Sequence, residues 1–231
     1  VGLHKNAFLV GAKAVNEHLR VQINDIWLNV LPHFHVGGLA IFARAHLLKN
    51  EVFDLSNQKW DAKKVRAAIE RHRATLTSFV PTQVFDVIRD EQRAPPSLRA
   101  VVVGGGALDA ELYFKARALG WPLLPSYGLT ECSSQVATAS LESLASRTFP
   151  ELKILSHVRL KNRTGRIAIE SEALADFIAT AHPAAGFSLE DPRRNGWLLS
   201  EDLGDVDRGM VWLHGRAQEQ VKISGELVSI E

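Results

Sequence analysis

At 231 residues, with 46% hydrophobic and 23% charged side chains, the chain is long enough for one or two domains around a sizeable core and has an ordinary globular balance. Its formal net charge is +1, from 27 basic and 26 acidic side chains, which gives no electrostatic case for nucleic acid or an acidic membrane surface. No apolar run approaches the roughly 20 residues of a bilayer span, no signal peptide is visible, and the single cysteine, Cys132, excludes an intramolecular disulfide and fits a reducing, cytoplasmic setting. The chain starts at Val1, carries its only methionine at Met210 and stops inside "GELVSIE", so it reads as an internal part of a longer protein.

In chain order, residues 4–19 predict an amphipathic helix, with Phe8, Leu9, Ala12, Val15 and Leu19 at helical spacing. "DIWLNVLP" (25–32) predicts a buried strand and "LAIFARAHLL" (39–48) a buried helix, apolar nearly all round. A short strand (51–55) precedes a helix at 61–73, where Asp61 is the N-cap and Trp60 staples onto Val65. A strand at 75–79, a proline break and a helix follow. "LRAVVVGGG" (98–106) is a strand running into glycines. The helix at 108–120 is capped by Asp109, stapled by Leu108 and Tyr113, and closed by Gly120. "WPLLPSYGLTECSSQ" (121–135) opens with another buried strand.

Alternating strands and helices with continuous apolar strands imply an α/β fold: a mostly parallel sheet flanked by helices on both faces. After about residue 150 the strands shorten and partly alternate ("ELKILSHVRLKN", "GRIAIES", "GWLLSED", "GMVWLHGR"), which predicts a small antiparallel β-barrel-like subdomain. "AHPAAGFSLEDPRRNG" (181–196) reads as a loop-like connector.

Four stretches could carry chemistry. In "VVVGGGALD", bare backbone after a buried strand lets a ligand approach, beyond the carboxyl ends of the strands where ligands of open parallel sheets sit. A dinucleotide fingerprint would need a third glycine where Asp109 stands, and a tight turn without any ligand accounts for the same residues. In "SYGLTE", Tyr127 could stack on a base, Thr130 could donate to a phosphate and Glu131 could hold Mg²⁺ through oxygen. A helix N-terminus capped by Thr130 explains that pair as cheaply. In "LPHFHVGG" (31–38), His33 and His35 could be a metal pair of a hydrolase, although His72, His157, His182 and His214 fall in no ligand spacing. The alternative is one solvated and one packed histidine. In "LLSEDLGDVDRGMVWLHGR" (198–216), an aspartate at a strand end suits a ribose diol, and a polar turn at 207–209 is the plainer account.

Taken in order, these stretches resemble the adenylate-forming acyl-CoA synthetases, which join a carboxylate to AMP and then to CoA. The likeness runs the whole chain: "LPHFHVGG", "GGGAL", "YGLTE", "GRIAIES", "GWLLSEDLGDVD" and "GRAQEQVKISGELVSIE" match six of the family's motifs in order and spacing. The resemblance implies ATP, Mg²⁺ and CoA as cofactors and substrates, with a small carboxylic acid and no nucleic acid as partner; an oligomer stays open. It implies that Gly104, Gly105, Gly106 and Ala107 line an adenine, that Ser126 and Tyr127 flank it and that Gly128 opens space toward an acyl-phosphate. By the same likeness Thr130 binds phosphate, Glu131 the Mg²⁺, Asp202 the ribose hydroxyls with help from Arg216, His35 closes the acyl pocket and Lys222 acts in one of two domain orientations. Residues 1–150 would be the α/β subdomain, 151–214 the small β subdomain, and 215–231 a hinge and the start of a further domain. The family's phosphate loop and C-terminal lysine would fall outside the chain. "SED" stands where T-G-D is usual, and Gln218 where Asp or Lys is frequent. These departures keep a non-catalytic nucleotide-binding relative in view beside a ligase for an aryl or fatty acid.

Overall fold

The computed structural model describes residues 1–182, 186–217, 220–223 and 226–229, and in it the apolar runs of the first half become parallel strands. Strands β1 (Ile26–Asn29), β2 (Glu51–Asp54), β3 (Leu76–Phe79), β4 (Ala100–Val103) and β5 (Leu123–Leu129) pair in the order β2-β1-β3-β4-β5, each pair parallel. Side chains alternate across a strand, so each apolar run feeds two cores. Leu28, Val101, Val103 and Leu123 face helices α3 (Ala62–His72), α4 (Pro81–Arg89) and α5 (Ala110–Ala118). Trp27, Ala100, Val102 and Leu124 face α1 (Lys5–His18) and α2 (Val36–Leu48). Burial on both faces is the physical reason these strands read as unbroken apolar runs.

The caps form as expected. Asp61 accepts from the Lys64 N–H at 2.9 Å, and Asp109 accepts from the N–H groups of Glu111 at 2.7 Å and Leu112 at 3.2 Å. Helix α2 starts at Val36, earlier than the apolar run alone indicates. Gly38 makes this possible, because a Cβ there would lie 2.3 Å from the Pro32 carbonyl oxygen. No helix among the described residues is long and apolar enough to cross a membrane.

At Ser126 the sheet changes character. Strand β5 pairs antiparallel with β6 (Ser134–Thr138) after a short 3₁₀ turn at Thr130–Cys132. Antiparallel pairing continues through β7 (Leu152–Ile154), β8 (Val158–Arg163), β9 (Arg166–Ser171), β13 (Trp197–Asp207) and β14 (Met210–Arg216), in the order β5-β6-β7-β14-β13-β9-β8. The change comes earlier than the shift in sequence character near residue 150, because β6 is itself buried on both faces and carries no alternation. Tyr127, Val136, Ile167, Ile169, Leu198 and Val211 form the core of this part.

The segment expected as a connector is structured. Strands β10 (Ile178–His182) and β11 (Gly186–Glu190) form a hairpin, and β12 (Arg193–Arg194) pairs with β13. Most of these hairpin residues are exposed, so no buried face wrote a pattern into the sequence. Strands β15 (Gln220–Ile223) and β16 (Glu226–Ser229) form a second antiparallel pair.

One ion pair ties the amino ends of the central strands together. Asp25, 5% exposed, accepts from Arg99 Nε at 2.8 Å, the Thr75 hydroxyl at 2.6 Å and the Gln22 N–H at 2.8 Å, and Arg99 also donates to the Leu19 carbonyl. Burial by itself would raise the Asp25 carboxyl; the Arg99 hydrogen bonds, with those of Gln22 and Thr75, outweigh it and hold the group below its usual range. Asp25→Ala leaves the Arg99 charge and the Thr75 hydroxyl without their acceptor, and should cost about 3 kcal/mol in urea unfolding.

Two histidines at α1 set a pH dependence. His157 is partly buried, with both ring nitrogens enclosed and neither partnered among the described residues, and this desolvation pushes it down to about 4. His18 is lowered too, chiefly by burial, although its Nε2 lies 3.0 Å from the Ala139 carbonyl oxygen. The unfolded chain therefore binds more protons than the folded one below the ordinary histidine value of 6.5. Stability should fall as pH drops from 6.5 toward 4, by up to about 3 kcal/mol from His157. Denaturation midpoints at pH 7 and 4.5 measure this, and His157→Gln should flatten the slope.

Candidate active site

The carboxyl ends of the parallel strands open into a cavity of about 280 Å³. Three of the stretches singled out in the sequence meet there: Leu31–Gly38, Gly104 and Gly105 after β4, and Ser126 with Gly128 to Thr130 on and after β5. The register brings the last two side by side, since Val103 pairs with Pro125. Each run of small or polar residues begins where its strand leaves the two-sided core, which is why the chemistry collects at this edge.

The glycines differ in what they do. Gly105 has φ +78°, a conformation that L side chains rarely adopt. A Cβ at Gly104 or Gly106 would meet only ordinary contacts, at 3.7 Å and 3.6 Å. The protein's own packing does not require those two to be bare, and the exposed backbone is left for something else to approach. Gly128 is the reverse case. A Cβ there would lie 1.9 Å from the Ser134 carbonyl oxygen, so its missing side chain is filled by strand β6 rather than held open for a ligand.

His35 is the exposed N-terminal flank of α2 and lines the cavity. His33, two residues earlier, lies elsewhere, with Nε2 2.9 Å from Asp54 Oδ2 and 2.7 Å from Ser56 Oγ. The pair therefore does not share a ligand position. Among the described residues no group of three or more His, Cys, Asp or Glu is arranged to hold a metal ion. Thr130 is exposed on the cavity wall, and Glu131 is partly buried beside it with no ion-pair partner among the described residues. The helix expected after the strand is only a 3₁₀ turn flanked by Leu129, so Thr130 is not an N-cap. A hydroxyl with an uncommitted carboxylate next to it fits Mg²⁺, which takes one or two carboxylates together with substrate phosphates.

Tyr127, expected to flank a base, points to the opposite side of β5 from Ser126 and Gly128. It is 7% exposed, packs in the third core cluster and donates its hydroxyl to Asp202 Oδ2 at 2.8 Å. Burial first, then the adjacent Asp202 charge, pushes the phenol well above its usual range, so it stays a donor. The other carboxylate oxygen of Asp202 faces Arg216 Nε at 3.2 Å, its cross-strand partner on β14. Glu201, the unexpected acid beside it, is paired with Arg166, which also donates from Nε to the Ser200 carbonyl. Arg166 thereby offsets the extra charge in "SED". Gly106 and Ala107 are exposed and do not line the cavity. Lys222 and Gln218 fall outside the residues whose side chains are described.

The cavity also holds a residue that sequence reasoning passed over. Arg44, 2% exposed, lines it with no acidic partner among the described residues, and its Nε is unpartnered. The guanidinium lies 5.5 Å from the Trp27 ring centroid. Burial pushes its pKa down to about 9, which leaves it charged at neutral pH. Ser78 and Gln135, 5% and 6% exposed, line the same cavity, and Ser78 Oγ and Gln135 Oε1 are also unpartnered. A buried cation normally has a partner, so Arg44 with the Ser78 hydroxyl as a second donor describes a place for an anion, and Gln135 Oε1 is left as an acceptor beside it. The signal was an arginine inside a helix otherwise apolar nearly all round.

Comparison with known proteins gives the chain's family. The chain is 29% identical over 225 residues to 2-succinylbenzoate–CoA ligase of Bacillus pumilus, covering 93% of the chain and 45% of that protein. Its fold matches the o-succinylbenzoate CoA synthetase of Bacillus subtilis bound with a product analogue, OSB-NCoA, at TM-score 0.83 and 26% identity, over 98% of the chain and 48% of that one. It matches the same enzyme in complex with the acyl-adenylate intermediate OSB-AMP at TM-score 0.79 and 26% identity, over 93% and 57%. The chain thus spans about half the length of the relatives it matches. The AMP-binding enzyme family model matches residues 3–172, and the chain belongs to that family.

Proposed function

We propose that the chain is the adenylating part of an AMP-forming acid–CoA ligase acting on 2-succinylbenzoate, a step of menaquinone biosynthesis in the cytoplasm. The observation that carries the choice of acid is the buried, unpartnered Arg44 in a cavity rimmed by His35, Gly105 and Thr130. 2-Succinylbenzoate has two carboxylates. One reacts, and the other stays anionic and needs a cation once it is buried; a fatty or simple aryl acid would leave Arg44 without a partner.

In this reading, a carboxylate oxygen of the acid attacks the α-phosphorus of ATP and pyrophosphate leaves, giving the acyl-adenylate. The thiol of CoA then attacks the acyl carbon and AMP leaves. Gly104 and Gly105 present bare backbone to the adenine, with Gly106 and Ala107 beside it outside the cavity, and Asp202, oriented by Tyr127 and Arg216, accepts from the ribose hydroxyls. Thr130 donates to a phosphate oxygen, and Glu131 would hold the Mg²⁺ that offsets charge on the phosphates. His35 closes the acid pocket at its rim, and Lys222 serves the second domain orientation. The division at residues 150 and 214 into α/β part, β part and hinge belongs to the same reading. The Arg166 partner of Glu201 supports a working nucleotide site over a degenerate one.

Calorimetry with a non-hydrolysable 2-succinylbenzoyl-adenylate mimic, AMP and a benzoyl-adenylate mimic tests the proposal. The succinylbenzoyl compound should bind tightest; equal binding of all three would sink the choice of acid. Arg44→Met should weaken the succinylbenzoyl mimic about 10- to 100-fold and leave the benzoyl mimic nearly unchanged, since one charge-assisted interaction is lost. Asp202→Ala should weaken AMP by about 1.5–3 kcal/mol, and an unchanged AMP affinity would move the ribose site elsewhere.

A further inference from the structure

His33 lies outside the cavity, yet its contacts tie the end of β2 to α2, the helix that carries the acid-recognition groups. Asn29 and Asp54 are cross-strand partners at the carboxyl ends of β1 and β2. The Asn29 side chain, fully buried, accepts from the Leu31 N–H at 3.0 Å and donates to the Leu31 carbonyl and to Asp54 Oδ1, both at 3.1 Å. The Ser56 N–H donates to the same Oδ1 at 3.1 Å. Asp54 Oδ2 is thereby aimed at His33 Nε2, 2.9 Å away. The His33 ring packs T-shaped with Phe42 of α2, with centroids 5.0 Å apart and planes at 87°.

Both Nε2 contacts call for a proton on Nε2. If Nε2 were bare, its lone pair would face a carboxylate oxygen at hydrogen-bond distance. With the proton on Nε2, it is shared between Asp54 Oδ2 and the Ser56 oxygen at 2.7 Å. A serine protease triad needs serine and aspartate on different ring nitrogens. Here both are on one, so the cluster is a clamp and not a nucleophilic site.

We propose that His33 is a positioning residue for acid recognition: it clamps the Leu31–Gly38 loop and the start of α2 onto the end of β2. The clamp matters because α2 carries His35 at its amino end and Arg44 further along, and both face the cavity. His33 is 44% exposed at its side chain and contributes little to the core, so its removal should release the loop without unfolding the sheet. This inference rests on the ligase reading, and the experiment separates the two.

The test is calorimetry on the 231-residue chain with the 2-succinylbenzoyl-adenylate mimic and, separately, with AMP. His33→Ala should weaken the mimic about tenfold, as for loss of one charge-assisted hydrogen bond in a half-exposed place, while AMP affinity and the unfolding midpoint stay put. His33→Gln, which returns a donor near the Nε2 position, should recover most of that loss, and Asp54→Ala should weaken the mimic at least as much while also lowering the unfolding midpoint, because Asn29 and the Ser56 N–H lose their acceptor. Unchanged binding of the mimic to His33→Ala, an equal fall for mimic and AMP, or failure of His33→Gln to recover overturns the positioning role. If the unsubstituted chain binds neither compound, the ligase reading itself falls and this role falls with it.

Discussion

The architecture turns on a close approach of two backbones. At Gly128 strand β5 runs against the Ser134 carbonyl so tightly that no Cβ fits, beside an irregularity in pairing between Tyr127 and Gly128. That approach lets one strand belong to two sheet types. Leu123–Pro125 continue the parallel sheet beside β4, while Ser126–Leu129 pair with antiparallel β6. The cavity lies where the strand changes partner. Small residues there hold the two halves together, and the groups that remain polar are the ones a ligand can reach.

The same strand distributes chemistry to both of its faces. Ser126 and Gly128 border the cavity, whereas Tyr127 points away and holds Asp202. A substitution at Tyr127 would therefore act on a carboxylate that comes from β13, far along the chain. Arg216 and the Arg166–Glu201 pair complete that second cluster. The extra acid in "SED" sits in an ion pair rather than as free charge beside Asp202. The Asn29–Asp54–His33 network plays the corresponding part on the acid side, where it joins β1 and β2 to α2.

Much of this was legible before any coordinates. Local chemistry wrote the caps at Asp61 and Asp109 directly into the sequence, since a side chain three residues from its partner needs no tertiary information. The two-faced apolar strands announced a parallel sheet, and the glycine and Thr-Glu stretches announced the strand ends where the cavity opens. The β10–β11 hairpin escaped because its strands are mostly exposed, and a pattern of burial is the only mark a strand leaves. Strand alternation sets Tyr127 opposite Ser126, but that its hydroxyl meets Asp202, 75 residues further along the chain, left no mark in the local sequence.

The sequence by itself therefore determined the α/β class, the order of elements in the parallel half and the strand ends at which small and polar residues collect, because these follow from nearest-neighbour propensities and from the apolar pattern along single strands. Only the tertiary structure decided that Arg44 is buried without an acidic partner, that His33 and His35 part company, and that Gly128 is filled by β6. Each of these depends on which distant backbone or side chain comes to lie opposite, and the sequence spacing of the residues involved carries no record of it.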